Sequence, residues 1–140
     1  MKKRVIWTMV MACLLVVTSA CGSKNKKTEE ENKKTEENVI ANTNADVINE
    51  VIIDGFKISN VSLISKNGAA VFSATITNTN ESALYVRAIS ILLKDENGNE
   101  VTTLPGFVGS TLEPNGSYTV TTNKYMDITP VASIEYAIIR

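Results

Sequence analysis

From about Val51 to Arg140 the sequence predicts an all-β, antiparallel sandwich or barrel. Short stretches rich in Val, Ile, Thr, Tyr and Phe follow one another along this region. Turn signals separate them at intervals, among them Asn67-Gly68, Asn97-Gly98 and Pro114-Asn115-Gly116. Apolar residues at helical spacing are absent beyond the first twenty or so positions. Regularly spaced short strands with turn chemistry between them are the pattern of two packed antiparallel sheets.

The first predicted strand covers Phe56 to Ile64. Phe56 and Ile58 share one phase and Val61 and Leu63 the other, so a bulge near Asn60 is expected to reconcile them. Asn67-Gly68 supplies the positive φ angles of a tight hairpin. The second strand, Ala69 to Asn78, alternates, and Ala70, Phe72, Ala74 and Ile76 are expected to face the core. After a polar turn from Thr79 to Ser82, Leu84 to Lys94 is the longest candidate and reads as a central strand with Ile89, Ile91 and Leu93 on one face. Asp95-Glu96-Asn97-Gly98 turns the chain into Glu100 to Leu104, and Pro105 to Gly109 reads as a loop. Tyr118 and Val120 alternate with Thr119 and Thr121, and Lys124 to Asp127 reads as a connection. The last strand, Val131 to Ile139, is expected to bury either Ile134, Tyr136 and Ile138 or the alternate set Val131, Ala137 and Ile139.

The first twenty residues have the layout of a signal peptide: Lys2, Lys3 and Arg4, an apolar run from Val5 to Val17, then the small residues Thr18, Ser19 and Ala20 before Cys21. A membrane-spanning helix needs roughly 20 apolar residues, and the uncharged run here ends by Ser23. The small residues before Cys21 resemble the lipobox of bacterial lipoproteins. That resemblance implies a diacylglyceryl group on the Cys21 sulfur, removal of residues 1–20, and anchoring to the extracytoplasmic face of the cell membrane. Two acyl chains at about 0.8 kcal/mol per buried CH₂ hold a protein stably where one is marginal. In a two-membrane cell, Gly22 after the cysteine implies sorting to the outer membrane.

Residues 21–50 read as a polar tether. They contain a slipped repeat, Lys26-Lys27-Thr28-Glu29-Glu30-Glu31-Asn32 followed by Lys33-Lys34-Thr35-Glu36-Glu37-Asn38, with too little apolar surface to offset chain entropy. A flexible linker of this length spans roughly 30 Å. Its less polar end, Val39, Ile40 and Val47 onward, is placed to pack on the domain or begin its first strand. The domain then occupies residues 51–140. A strand ending at Asn78, a strand rising to Leu93-Lys94-Asp95, and Leu112-Glu113-Pro114-Asn115-Gly116-Ser117-Tyr118 together resemble the FxLYD-type immunoglobulin-like domains of bacterial lipoproteins. The resemblance implies a sandwich of about seven strands serving as an envelope module, with no family activity to carry over.

Removing Lys2, Lys3 and Arg4 from the 14 basic residues leaves eleven against 15 acidic ones. The mature chain lacks the basic footprint that nucleic acid requires, so nucleic-acid binding is not expected. Cys13 leaves with the signal, so no internal disulfide can form. Trp7, the only tryptophan, also lies in the signal, so the buried Trp of antibody domains has no counterpart.

Histidine is absent from the whole chain, which removes the commonest general base and metal ligand. Asp95 and Glu100 form a conceivable carboxylate pair across a hairpin, and Asp95, Asn97, Asn99 and Glu100 crowd oxygens into one turn as calcium sites do. Asx residues are equally what the turn itself needs. Small loops offer no deep cleft, so neither an enzyme nor a cofactor is expected. Phe107, between glycines, and Tyr125 and Met126, in a connection, are the candidate partner-contact residues, with plugging of the open ends of the sandwich as their alternative role. The sequence thus points to a membrane-tethered, non-enzymatic binding or structural module that contacts another envelope protein or a cell-wall component. The competing expectation is a lipoprotein that captures a small molecule or ion in a pocket.

Overall fold

A computed structural model describes residues 38–140. The signal peptide, Cys21 and nearly all of the tether repeat lie outside the described residues. Among the described residues eight strands form two antiparallel sheets, with one helical turn between the first two strands.

The long hairpin of β3 (Phe56–Lys66) and β4 (Ala69–Asn78) is the frame. Asn67 and Gly68 both take positive φ, 51° and 80°, the two-residue turn whose twist matches the strands it joins. Asn60 sits at φ 52° within the register shift between Ser59 and Ser62. This bulge switches the buried phase from Phe56 and Ile58 to Val61 and Leu63, as the sequence predicts. On β4, Ala70, Phe72, Ala74 and Ile76 are all buried. β7 (Ser117–Tyr125) pairs with the other edge of β4 and buries Val120.

The second sheet is β6 (Glu100–Leu112), β5 (Leu84–Lys94) and β8 (Ser133–Ile139), with β5 central. Ile89, Ile91 and Leu93 point into the core, and Ile134, Tyr136 and Ile138 pack against it, which decides between the two sets left open for β8. Among the alternate set, Val131 is buried ahead of the strand while Ala137 and Ile139 face outward. The order β3-β4-β7 against β6-β5-β8, with hairpins inside each sheet and crossovers between them, is immunoglobulin-like sandwich connectivity.

Two expectations about element bounds are corrected. Pro105 to Gly109 is no loop, because β6 continues through Leu112 and pairs Pro105 with Ser90, Gly106 with Ile89 and Phe107 with Ala88. Proline is tolerated there because, among the described residues, β6 is an edge strand paired with β5 alone. Gly109, at φ 60°, falls where the register shifts between Val86 and Ala88. A Cβ on Gly106 would lie 2.4 Å from Val120 Cγ1 and 2.8 Å from Ile89 Cγ2, so glycine here lets the two sheets close.

Folded structure also begins before Val51. β1 (Val39–Ala41) pairs with the end of β3, and β2 (Val51–Ile53) with its start, through an Asp54-Gly55 turn with φ 50° and 76°. Between them α1 (Ala45–Ile48), capped by Asn44, buries Val47 in the core. The described residues therefore hold eight strands, two of them three-residue pieces laid along β3.

Asn78 holds the crossovers together. Fully buried, it donates from Nδ2 to the carbonyls of Ser82 and Leu112, both at 2.8 Å, and accepts at Oδ1 from the backbone and side-chain nitrogens of Asn80, both at 2.9 Å. One side chain thereby fixes the end of β4, the β4–β5 connection and the end of β6.

Candidate functional site

Alternation places a second set of side chains on the outer face of β6-β5-β8. The register builds this face in rows: Phe107, Ala88 and Ile139; then Pro105, Ser90 and Ala137; then Thr103, Leu92 and Glu135; then Lys94 beside Ser133. The first two rows are apolar apart from Ser90. Phe107 is 73% exposed and Ile139 41%, so large apolar groups stand open to solvent on either side of Ala88. They line a shallow depression of about 260 Å³ with Arg87 on its rim.

Ser90 and Thr103 are shared with a second depression of about 230 Å³, which runs along the same face to Glu100 and Glu135. Both carboxylates are already engaged. Glu135 Oε1 lies 2.5 Å from Lys94 Nζ, and Glu100 Oε1 accepts from the Thr103 hydroxyl at 2.9 Å. The face is thus an apolar shelf grading into a paired polar rim.

The three candidate contact residues do not share one place. Phe107 stands on the shelf. Tyr125 ends β7 opposite Ala69, in phase with the outward residues of the other sheet, and is 85% exposed. Met126 follows it and packs against the core. Only Met126 has the plugging role, and Phe107 reaches its position from a strand. Sequence reasoning missed Ala88 and Pro105 on the shelf. For Ala137 and Ile139 the alternate phase of β8 carried the signal, since a strand with apolar residues in both phases shows one of them to the outside.

The calcium-like turn is occupied by its own backbone. Asp95 Oδ1 accepts from the Asn97 and Asn99 amides, each at 2.9 Å, and Oδ2 from Asn99 Nδ2 at 3.1 Å. The Asn99 backbone bond, followed by its side-chain bond, holds the Asp95 carboxyl below its ordinary pKa. Among the described residues no group of three acidic, His or Cys side chains is disposed to hold a metal ion. An open polar cleft of about 440 Å³ runs from Asp95, Glu96 and Asn97 to Thr129 and Asn44. Beside it a depression of about 480 Å³ lies between Ile40 to Asn44 and the loop of Ile128 to Val131, bridged where Asn42 Nδ2 donates to the Val131 carbonyl at 2.8 Å.

Among the described residues no helix is long and apolar enough to cross a membrane. Comparison with protein-family models, curated proteins and solved structures returns no match to the chain.

Proposed function

We propose that the protein is a lipoprotein, anchored through Cys21 to the extracytoplasmic face of the cell membrane, that works as a non-enzymatic binding module for another envelope protein or cell-wall component. The observation that carries the binding reading is Phe107. An aromatic ring largely exposed at one corner of an apolar, register-ordered shelf costs solubility and returns nothing to the core, which is the signature of a surface kept for contact. Aromatic anchors surrounded by smaller side chains dominate binding energy at protein interfaces. Partner contact needs no acid–base chemistry, in keeping with a chain that has no histidine.

The test is photo-crosslinking in intact cells from position 107, with position 125 on the opposite sheet as reference. A discrete adduct from 107 that is absent from 125, and that disappears when Ile139 is changed to Asp, supports the reading. Equal or absent labelling at the two positions sinks it.

A further inference from the structure

Asparagine followed by glycine is a pair that can react with itself, because a neighbour without Cβ leaves its backbone nitrogen open to the asparagine side chain. The sequence holds three such pairs, Asn67-Gly68, Asn97-Gly98 and Asn115-Gly116, and all three lie in turns. In two of them the glycine nitrogen is engaged. Gly98 N donates to the Asp95 carbonyl at 3.0 Å, and Gly116 N to the Glu113 carbonyl at 2.7 Å. Their asparagines are pinned as well, Asn97 N on Asp95 Oδ1 at 2.9 Å and Asn115 N on the Asn78 carbonyl at 2.8 Å. Asn67-Gly68 differs. Both residues are exposed, and among the described residues neither Gly68 N nor the Asn67 side chain has a hydrogen-bond partner. Asn67 N makes one long bond, 3.3 Å, to the Asn38 carbonyl. A Cβ on Gly68 would meet no atom within 4 Å, whereas one on Gly116 would lie 2.9 Å from the Glu113 carbonyl oxygen.

We propose that Asn67 is a self-modification site, which deamidates in the folded protein ahead of the other two pairs. Gly68 N attacks Asn67 Cγ, and the new N–Cγ bond forms as Cγ–Nδ2 breaks. The amide proton of Gly68 leaves with Nδ2 as ammonia, and a cyclic imide remains. Water then opens the ring without net oxidation or reduction. Attack at Cγ gives aspartate, and attack at the Asn67 backbone carbonyl gives isoaspartate, in which the chain runs through Cβ and Cγ. The reacting atoms belong to adjacent residues, so the step needs water and no vacant surface.

The two products treat the turn differently. Aspartate tolerates the positive φ of 51° as asparagine does. Isoaspartate adds a backbone carbon to a two-residue turn, and turn length sets hairpin register. Lys66 then no longer sits opposite Ala69, and Asn67 N moves off the Asn38 carbonyl. β1 docks at this same end of the hairpin, with Val39 opposite Lys66. Isoaspartate at position 67 therefore loosens β1, the first of the described strands.

The full chain in detergent is held in warm, mildly alkaline buffer, folded or in denaturing urea. Peptide mass spectrometry follows the three pairs, and an isoaspartyl methyltransferase marks isoaspartate. In the folded protein Asn67 should convert on the order of tenfold faster than Asn97 and Asn115, the factor set by one more backbone hydrogen bond to break. In urea the three should react alike. Ageing should also speed amide exchange at residues 39–41, and freshly prepared Asn67→Asp should not. Equal rates in the folded protein overturn the proposal, as does Asn97 or Asn115 reacting first, or an Asn67 that stays intact while the urea sample reacts. Exchange that is unchanged by ageing, or matched by fresh Asn67→Asp, overturns the loosening of β1.

Discussion

Asn78 shows how much one polar side chain can carry when every bond it can make is made. Its two donors meet two carbonyls and its oxygen meets two donors, so it sits in the core without a desolvation debt. Asn78→Asp keeps the shape and removes both donors, leaving the Ser82 and Leu112 carbonyls facing a carboxylate. We expect a loss of about 3 kcal/mol, read as a lowered urea midpoint at unchanged slope. Tyr136 is the opposite case. Its hydroxyl is buried with no hydrogen-bond partner, burial pushes the phenol above its ordinary pKa, and its ring lies 6.3 Å from that of Phe72. Tyr136→Phe keeps the ring and should raise stability by roughly 1 kcal/mol; a lower melting temperature would show that the hydroxyl has a partner after all. Asp95 gives a pH dependence of known sign. Its folded-state pKa is depressed by the Asn99 bonds, so its contribution is present above the ordinary value of 3.8 and is lost as pH falls through the lower folded value. Asp95→Asn should therefore lower stability near neutrality, where the carboxylate's contribution is in force, and flatten part of the acid limb of the stability curve.

At the scale of the element, what was legible followed from period and turn chemistry. β4 and β5 have the bounds that the sequence predicts because alternation and flanking turns agree, and the Asn60 bulge was readable because two apolar phases in one strand need one. Reading failed where a local rule was outweighed by position. Pro105 and two glycines argue for a loop, yet on an edge strand the proline loses no ladder bond and Gly106 is required by the approach of Val120. Asp54-Gly55 is as good a hairpin signal as Asn67-Gly68, but β2 is only three residues long and gives too little alternation to announce a strand. The shelf was half legible: Phe107 stood out as an aromatic, whereas its neighbours Ala88 and Pro105 become a surface only once the register is known. Gly106→Ala tests the element directly. The added methyl would meet the branched side chains of Val120 and Ile89 well inside contact distance, with Ile91 Cδ1 next at 3.2 Å, so we expect a loss of about 2 kcal/mol. The mirror substitution Gly109→Ala meets no atom within 4 Å and should cost only what its positive φ of 60° imposes. A thermal melt of the two variants separates overpacking from backbone strain.

At the scale of the whole molecule the shelf and the anchor make a joint prediction. On the proposed reading, a binding face held at the membrane through the segment before residue 38 gains from confinement, because partners in the same membrane meet at an effective concentration set by the length of that segment rather than by bulk abundance. The two contributions can be separated. Cys21→Ser removes the sulfur proposed to be acylated and leaves the described elements untouched, since all of them lie beyond residue 37. We expect that variant to leave the membrane fraction, to retain the urea midpoint of the wild type, and to lose the position-107 crosslink in cells while regaining it in lysate when the partner is supplied in excess. Phe107→Ser should behave the other way round: membrane-bound, equally folded because the ring buries little, and without the crosslinked partner in either setting, as judged from a probe at the exposed rim position 87. A Cys21→Ser protein still found in the membrane fraction would remove the anchor from this scheme, and a Phe107→Ser protein that still captures the partner would remove the shelf, so each half can fail without the other.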